Sequence, residues 1–417
     1  MGRVGWLVRL TFAAMRLFRA LAVVVLLAGL AMVARPYLHG LSFVIRVADL
    51  KGTARTLADL DTRTVHERDI VIPLPEGPIR ARVYESDGAS RAALLTSGLH
   101  VAGIDEPRLV RLARALASNR IRIVTPDIPQ LAQFEIAPAL TDTIERSALW
   151  LANDSGFDAD HRIGLMGISF SGGLSIVAAG RPSLAGKVTS VFAFGGHDDL
   201  PRVLKYLCTG QEPYPAMQIR LKPAANAADG ATNDSNAPFT RPPHDYGVAV
   251  ILLGIADRMV PPAQVERLRA GVRRYLVASA LDTNVDKVRA AAEFDAVRAS
   301  ARSLPEPSAT LLRYVVDRDV AHLGNRLLPH LTALGSAPAL SVSKSPKPSG
   351  VPVFLLHGIE DNVIPSIESE YLADDLRPRG PVRLLLSGLI SHAEADRPVK
   401  IGDVMELASF WGDLLSR

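Results

Sequence analysis

Short apolar runs alternate with amphipathic helical stretches through most of this sequence, and this alternation limits the fold more than any other feature. Strand–helix–strand alternation predicts a mostly parallel sheet with helices on both faces, which is an α/β fold. The predicted strands cover 68–74, 80–85, 92–97, 121–126, 162–168, 188–194, 351–356 and 382–387. The predicted helices cover 106–119, 140–153, 170–179 and 399–415.

The alternation stops between residues 208 and 349. Residues 208–247 are rich in Pro, Ala, Asn and Asp without a periodic apolar face, which predicts a long loop. Residues 262–334 predict three or four helices, and residues 336–350 predict a Ser/Pro/Lys linker. We therefore expect one α/β domain over 61–417, with 208–349 as a helical lid above the strand ends that hold the active site.

A separate N-terminal segment is predicted over residues 1–60. Ala20–Ala34 is an uncharged, almost wholly apolar run of fifteen residues. As a helix it rises roughly 22 Å, and Leu17 and Phe18 extend it toward the ~30 Å of a bilayer core. These features predict a single-pass transmembrane helix, followed by an amphipathic helix over 41–60 on the membrane surface. A cleaved signal peptide and a buried soluble helix are the alternatives.

The basic charge of the chain is concentrated in this N-terminal segment. The net charge is +4, yet residues 1–55 contain eight Lys or Arg and one acid, so the remainder is slightly acidic. A nucleic-acid-binding body would need a basic surface of its own, and this one is therefore not expected to bind nucleic acid. Four arginines before the apolar run favour a cytoplasmic N-terminus in the cytoplasmic membrane and an extracytoplasmic body.

A serine-centred motif lies between a predicted strand and a predicted helix, at Gly167-Ile168-Ser169-Phe170-Ser171-Gly172-Gly173. A nucleophilic serine at such a point sits on a tight, strained turn that exposes its Oγ above the sheet. The residues two before and two after must be small, and Gly167 and Ser171 meet that requirement. The motif predicts Ser169 as a nucleophile, and a glycine-rich turn with an incidental serine is the alternative.

At these residues the chain resembles the α/β-hydrolase family, over about 68–205 and 350–415. The resemblance implies the order nucleophile, acid, histidine. Val353–Pro365 is similar to the family's acid-bearing turn and places the acid at Asp361, and Leu386–His392 is similar to its histidine loop and makes His392 the base. His392 would take the Ser169 proton, while Asp361 would hold the imidazole tautomer.

Two other aspartates are candidates for the acid. Asp257 lies in a segment, Leu252–Pro262, that mimics the strand-turn-Val-Pro pattern around Asp361, and Asp198 follows the predicted strand at 188–194. Asp361 is favoured because a single strand and the histidine follow it at short spacing.

The resemblance also implies an oxyanion hole made by two backbone N–H groups. One belongs to Phe170, and the other maps to Leu99 in Thr96–Val101, where this chain has Ser-Gly in place of the family's usual His-Gly. His197 is expected to line the site without catalysing, and His357 to be structural. The sequence has no convincing metal-ligand spacing and no nucleotide-binding motif, so no metal or cofactor is expected. The single cysteine, Cys208, is expected to be a passive apolar filler.

These features together predict a serine hydrolase that cleaves a carboxylic ester through an acyl-enzyme, in the manner of carboxylesterases and lipases. Its partners would be a small-molecule ester, with lipid-like esters among the candidates, and the membrane. A serine peptidase of the prolyl-oligopeptidase type is the alternative within the fold. A non-catalytic, membrane-tethered binding protein is the alternative outside enzymology.

Overall fold

The computed structural model describes residues 29, 32, 34–60, 62–153, 160–212, 239–283, 286–390 and 401–417. The chain divides into two compact units, one formed by Met1–Thr62 with Val399–Arg417 and the other by Arg63–Pro398. The closing helix, which we expected in the α/β domain, belongs to the first unit.

The larger unit contains an eight-stranded sheet. Its strands are β1 Val65–Leu74, β2 Gly77–Ser86, β3 Arg91–Thr96, β4 Ile121–Pro126, β5 Ile163–Ile168, β6 Val188–Phe194, β9 Val353–Gly358 and β10 Val382–Ser387. Across the sheet they follow the order β1-β2-β4-β3-β5-β6-β9-β10. Only the β1–β2 and β2–β4 pairs are antiparallel. The remaining pairs are parallel, so β3, β5, β6 and β9 end at the same edge. This mostly parallel sheet fits the predicted α/β-hydrolase fold.

Helices flank the sheet and connect its parallel strands. They are α3 Pro107–Ala117, α4 Pro129–Ala132, α5 Ala139–Asn153, α6 Phe170–Ala179 and α14 Ile367–Leu376. Every residue of α6 is buried, including Gly172 and Gly173. A Cβ on Gly172 would lie 3.0 Å from the Cα of Gly196 after β6, so the missing side chain allows this helix to pack against the sheet.

A run of helices lies between β6 and β9 and forms the insertion. It contains α7 Leu200–Thr209, a two-stranded ribbon of β7 Gln211–Glu212 and β8 Phe239–Thr240, α8 Asp245–Met259, α9 Pro262–Asp282, α10 Lys287–Ser303, α11 Ser308–Val316, α12 Val320–Leu327 and α13 Thr332–Gly335. The strand-like segment Leu252–Pro262 is mostly the end of α8. Because nearly all of Gly247–Ala256 is buried, its sequence lacks the polar face that would have identified a helix.

Residues 336–350 are packed rather than forming the expected linker. Short 3₁₀ turns cover Pro338–Leu340 and Val342–Lys344, and both Leu340 and Val342 are fully buried. A Cβ on Gly180, just after α6, would lie 1.9 Å from the Pro346 carbonyl oxygen, so this segment lies directly against the end of α6. Backbone contacts of this kind leave no periodic signal in the sequence.

In the smaller unit, a helix over 34–47, α1, packs against α15 Ile401–Leu415. A Cβ on Gly40 would lie 1.8 Å from the Ala408 carbonyl oxygen, and the rings of Phe43 and Trp411 are 4.3 Å apart. The predicted helix over 41–60 is interrupted, since α1 ends at 47 and α2 spans Thr53–Asp59. Between the two helices, Asp49 has a φ of 54° and Gly52 a φ of 79°, and a continuous helix does not allow these positive values.

The predicted transmembrane run Ala20–Ala34 lies almost entirely outside the described residues. Among the residues that the structure describes, no helix has the length and apolar character needed to cross a bilayer.

Candidate active site

Ser169 occupies a strained turn between the end of β5 and the start of α6. Its backbone has φ 55° and ψ −128°, a conformation that costs a non-glycine residue of order 1–3 kcal/mol. The Ser169 N–H donates to the Phe194 carbonyl 2.6 Å away, which ties the turn to the end of β6. The residue is half-buried rather than enclosed in the core. This is the geometry that the motif predicts for a nucleophile.

Small residues on either side make the turn possible. A Cβ on Gly167 would lie 2.2 Å from the Ser171 carbonyl oxygen, so no larger residue fits at 167 without movement of the backbone. Ser171 itself is fully buried, and its hydroxyl donates to the Ser97 carbonyl at 2.6 Å. The serine that replaces the family's second glycine is therefore a link between α6 and the loop after β3, a role that the motif did not reveal.

The loop after β3, residues 97–101, lies beside the nucleophile and is called the oxyanion loop below. A Cβ on Gly98 would lie 3.2 Å from the Ser169 Cβ, so the absence of a side chain lets this loop approach closely. Leu99 follows directly, and Phe170 is the first residue of α6, where backbone N–H groups lack intrahelical acceptors. Both residues expected to donate to an oxyanion thus lie on backbone next to Ser169.

Asp361 lies in the turn after β9, on the same edge of the sheet as Ser169. The Asp361 Oδ2 and the Ser169 Cα are 3.7 Å and 3.9 Å from the point where a Cβ on Gly195 would stand. The carboxylate is buried, and its Oδ1 accepts hydrogen bonds from the N–H groups of Val363 at 2.8 Å and Ile364 at 3.1 Å. The fold therefore brings two of the three expected catalytic residues together around Gly195, whose φ is +63°.

The third, His392, lies outside the described residues, as does all of 391–400. The last described residue before it, Ile390, lies beside the end of β9. A Cβ on Gly358, at the end of β9, would lie 2.4 Å from the Ile390 carbonyl oxygen.

The other two candidate acids occupy different environments. Asp257 lies within α8, more than half exposed, with Oδ1 at 3.4 Å from Arg269. Asp198 is buried and ion-paired with Arg202 at 3.0 Å. Burial raises the pKa of Asp198 to about 6, although Arg202 opposes the shift. Arg202 also pairs with the buried Glu368, so Asp198 belongs to an ionic cluster beneath α7 and α14.

Three further histidines have structural partners. The fully buried His197 stacks on Phe170 with ring centroids 5.2 Å apart and donates from Nε2 to the Leu340 carbonyl. His357 donates from Nε2 to the Ile364 carbonyl at 2.9 Å and accepts at Nδ1 from the Ser369 hydroxyl at 2.6 Å. In the oxyanion loop, His100 accepts at Nδ1 from the Ala102 N–H. Burial lowers the pKa of His197 and of His100, so both rings are neutral near pH 7.

Three residues of the insertion surround this site without having been expected there. Arg241 Nη1 donates to the carbonyls of Ile359 at 3.0 Å and Asp361 at 3.2 Å. The buried Glu212 carboxylate lies 3.7 Å from Arg241 Nε. Tyr246, in the first turn of α8, donates its hydroxyl hydrogen to the Leu99 carbonyl at 2.6 Å. The mixed polar composition of 208–247 was the only available signal, and it did not distinguish these residues from their neighbours.

In the part of the chain that the structure describes, no group of three His, Cys, Asp or Glu side chains is arranged to hold an ion. Cys208 is buried in α7, and burial raises the pKa of its thiol to about 12. A thiol that stays protonated is a poor nucleophile and a poor ligand, so Cys208 serves as packing.

No family model matches the chain, and no curated protein matches it. Similar solved structures include an esterase from Pyrobaculum calidifontis, with 15% identity, 86% of this chain and 89% of that chain covered, and a TM-score of 0.42. A thermostable carboxylesterase cloned from a metagenomic library has 16% identity, coverages of 85% and 90%, and a TM-score of 0.42. Vibralactone cyclase has 12% identity, coverages of 89% and 84%, and a TM-score of 0.42. The identities are too low to carry an activity over to this chain.

Proposed function

We propose that this protein is a serine hydrolase that cleaves a carboxylic ester through an acyl-enzyme intermediate. The observation that carries the proposal is the backbone of Ser169, held at φ 55° between β5 and α6 at a half-buried residue. Such strain persists only where the surrounding structure imposes it, and it clusters at functional sites. The buried Asp361 carboxylate beside Gly195 supplies a matching acid.

In the proposed reaction, the Ser169 oxygen bonds to the ester carbonyl carbon while His392 takes the hydroxyl proton. The carbonyl electron pair becomes an oxyanion, which the N–H groups of Leu99 and Phe170 stabilise. Asp361 orients His392 and stabilises the imidazolium. When the oxyanion collapses, the alcohol leaves with the proton from His392. Water, deprotonated by the same histidine, then releases the acid and restores Ser169.

Two alternatives remain as outcomes of experiment. A peptidase would use the same residues on an amide, and the site geometry does not distinguish the two leaving groups. A non-catalytic binding protein would have no need of a strained serine between two glycine-bearing segments, which is why hydrolysis is preferred.

A fluorophosphonate probe tests the proposal. We expect the protein to be labelled and to hydrolyse p-nitrophenyl esters, and Ser169→Ala to lose both while its circular dichroism is unchanged. Ser171→Ala is a matched control, since it removes the neighbouring serine hydroxyl and should still be labelled. An unlabelled wild-type protein would favour the binding protein, and cleavage of peptides in preference to esters would favour the peptidase.

We also propose that the smaller unit attaches the protein to a membrane, with the body outside the cytoplasm. Large apolar side chains are exposed in this unit, and they are Met32, Tyr37, Leu38, Leu50, Leu57, Leu60, Ile401 and Met405. Exposed apolar surface of this kind marks interaction sites with lipid or protein. Fractionation of cells should place the protein in the membrane pellet, resistant to carbonate and released by detergent. A soluble protein cleaved after Ala34 would contradict the anchor.

A further inference from the structure

Residues 241–246 run from the end of β8 into the first turn of α8. They contact the acid turn, residues 359–364, which holds Asp361. The Arg241 guanidinium donates from Nη1 to the carbonyls of Ile359 and Asp361. The His244 N–H donates to the Asn362 carbonyl at 2.9 Å. Three hydrogen bonds from one short segment therefore hold the backbone that carries the acid.

The same segment contacts the oxyanion loop at its other end. The Tyr246 hydroxyl donates to the Leu99 carbonyl at 2.6 Å, and its ring packs edge-on against Phe134 with centroids 5.8 Å apart. Burial raises the pKa of Tyr246, so the hydroxyl keeps its proton and stays a donor near neutral pH. The peptide after Leu99 is thereby fixed from the side of the insertion, while Ser171 fixes Ser97 from the side of α6.

The segment is itself held at both ends. The Arg241 N–H donates to the carbonyl of Gly210 at 2.9 Å, and the guanidinium lies beside the buried Glu212 carboxylate. At the other end, His244 caps α8 by accepting at Nδ1 from the Tyr246 N–H at 3.2 Å. Because the segment is fixed at both ends, it can keep the acid turn and the oxyanion loop in fixed positions relative to each other.

We infer that residues 241–246 form a positioning strap that fixes the acid turn and the oxyanion loop relative to each other. The inference deepens the proposed function and rests on it. It assigns the start of the insertion a part in the chemical step, for short and long esters alike, whereas a lid would affect only the fit of the substrate. Tyr246 and Arg241 are then positioning residues, since they act through the backbone carbonyls of Leu99, Ile359 and Asp361.

The size of the expected effect follows from the oxyanion hole. Removing one oxyanion donor outright costs roughly 10²–10³ in kcat, and displacing a donor costs less. We therefore expect Tyr246→Phe, which keeps the ring on Phe134, to lower kcat/KM about tenfold or more. The loss should be the same for p-nitrophenyl acetate and p-nitrophenyl decanoate, because the oxyanion is common to both.

An alkyl trifluoromethyl ketone separates positioning from general loosening. In its adduct the Ser169 oxygen bonds to the ketone carbon, the serine proton passes to the base, and the carbonyl pair becomes an oxyanion. The adduct resembles the transition state. Losing an interaction made only in the transition state therefore weakens inhibitor binding by the same factor as it lowers kcat/KM. For Tyr246→Phe, its Ki should rise by the factor by which kcat/KM falls.

Ser308→Ala is the matched control, since it removes another buried hydroxyl hydrogen bond within the insertion, from α11 to Gln264 on α9, and does not involve residues 241–246. We expect it to leave kcat/KM and Ki within about threefold, since it does not touch the oxyanion loop. An equal loss in both variants would show that the insertion as a whole had loosened, and the strap would be wrong. A loss for Tyr246→Phe on the long ester alone would identify a lid and overturn the strap in the same way.

A second variant tests the acid end. Arg241→Lys keeps a positive charge beside Glu212 but loses the planar guanidinium. A displaced Asp361 stabilises the imidazolium less, so the acid limb of the kcat/KM–pH profile should move to lower pH. If Arg241→Lys leaves the profile unchanged and Tyr246→Phe leaves kcat/KM unchanged, while the wild-type enzyme is labelled and active, the strap is wrong and the proposed function stands. A wild-type protein without labelling or turnover would overturn both.

Discussion

The Ser171 hydroxyl donates a hydrogen bond to the Ser97 carbonyl across 2.6 Å, which joins the helix of the nucleophile to the oxyanion loop. The two residues are 74 positions apart, and both are buried. A glycine at 171 would satisfy the steric requirement of the turn but would leave the Ser97 carbonyl without this donor. The substitution in the motif therefore adds a contact that the usual glycine cannot make.

We expect Ser171→Ala to destabilise the fold by about 1–2 kcal/mol, because a buried carbonyl loses its donor. The kcat/KM should fall severalfold as the oxyanion loop gains freedom, while fluorophosphonate labelling persists. Ser175→Ala is the control, since its buried hydroxyl has no hydrogen-bond partner among the described residues. Urea unfolding and ester kinetics on both variants measure the difference. Equal effects in the two variants would contradict a specific role for the Ser171 contact.

Asp361→Asn should lower turnover by roughly a thousandfold or more, because a misoriented histidine no longer accepts the serine proton. Substrate binding should change little. Asp257→Asn, at an exposed site on α8, and Asp198→Asn, within the ionic cluster around Arg202, should stay within about tenfold of wild type. Steady-state kinetics on the three variants decide among the acids. A severe loss for Asp257→Asn with a mild one for Asp361→Asn would show that the acid is misassigned.

Glu212 should make the protein less stable as the pH rises. Burial raises its pKa to about 6, against an attraction to Arg241 that lowers it. The folded state therefore holds this proton more tightly than the unfolded state, whose pKa is near 4.3. The stabilising contribution of the neutral form is present at pH 4 and is lost as the pH rises through 6, by about 2 kcal/mol.

Urea unfolding of wild type and Glu212→Gln between pH 4 and pH 8 measures this loss. The glutamine variant should gain about 2 kcal/mol relative to wild type across this window, because it cannot ionise. Asp198 also has a raised pKa, but it is present in both proteins and cancels in the difference. A difference that does not change with pH would show that Glu212 titrates as an exposed carboxyl does.

Trp411→Ala should destabilise the smaller unit by about 3–5 kcal/mol, the usual cost of removing a large buried ring. Trp411 is 5% exposed and packs on Phe43, which is fully buried. Met405→Ala, at a half-exposed position of the same helix, should cost less than 1 kcal/mol. Thermal melts in detergent monitored by tryptophan fluorescence and circular dichroism compare the two. Similar melting temperatures for both variants would contradict the packing of α1 on α15.

The sequence predicted the elements whose apolar pattern is set by the sheet. Ile121–Pro126, Val188–Phe194 and Val382–Ser387 were predicted at their observed bounds, because a strand packed against helices needs a nearly continuous apolar run. The bounds of α6 were also correct, since its start is fixed by the turn at Ser169 and its end by Gly180. The bounds of these elements depend on neighbouring residues in the sequence, so the sequence alone predicts them.

The contacts that complete the candidate site depend on tertiary structure, and the sequence did not reveal them. Tyr246 and Arg241 reach the site because the insertion folds back from between β6 and β9, across 147 and 120 residues of sequence. Nothing in the spacing of Arg241-Pro242-Pro243-His244 distinguishes a strap from a surface loop. The helix α8 was missed for the related reason that a helix buried on all sides has the apolar content of a strand.

The crossing of α1 and α15 at Gly40 and Ala408 has a consequence for synthesis of the protein. The two helices are separated by more than 350 residues, so a ribosome that has made α1 must translate the whole α/β body before its partner appears. At the usual elongation rates this takes roughly 20–70 s. During that interval α15 does not yet exist to cover Phe43 and its apolar neighbours. A chaperone, a translocon or a lipid surface would cover this apolar surface on the nascent chain.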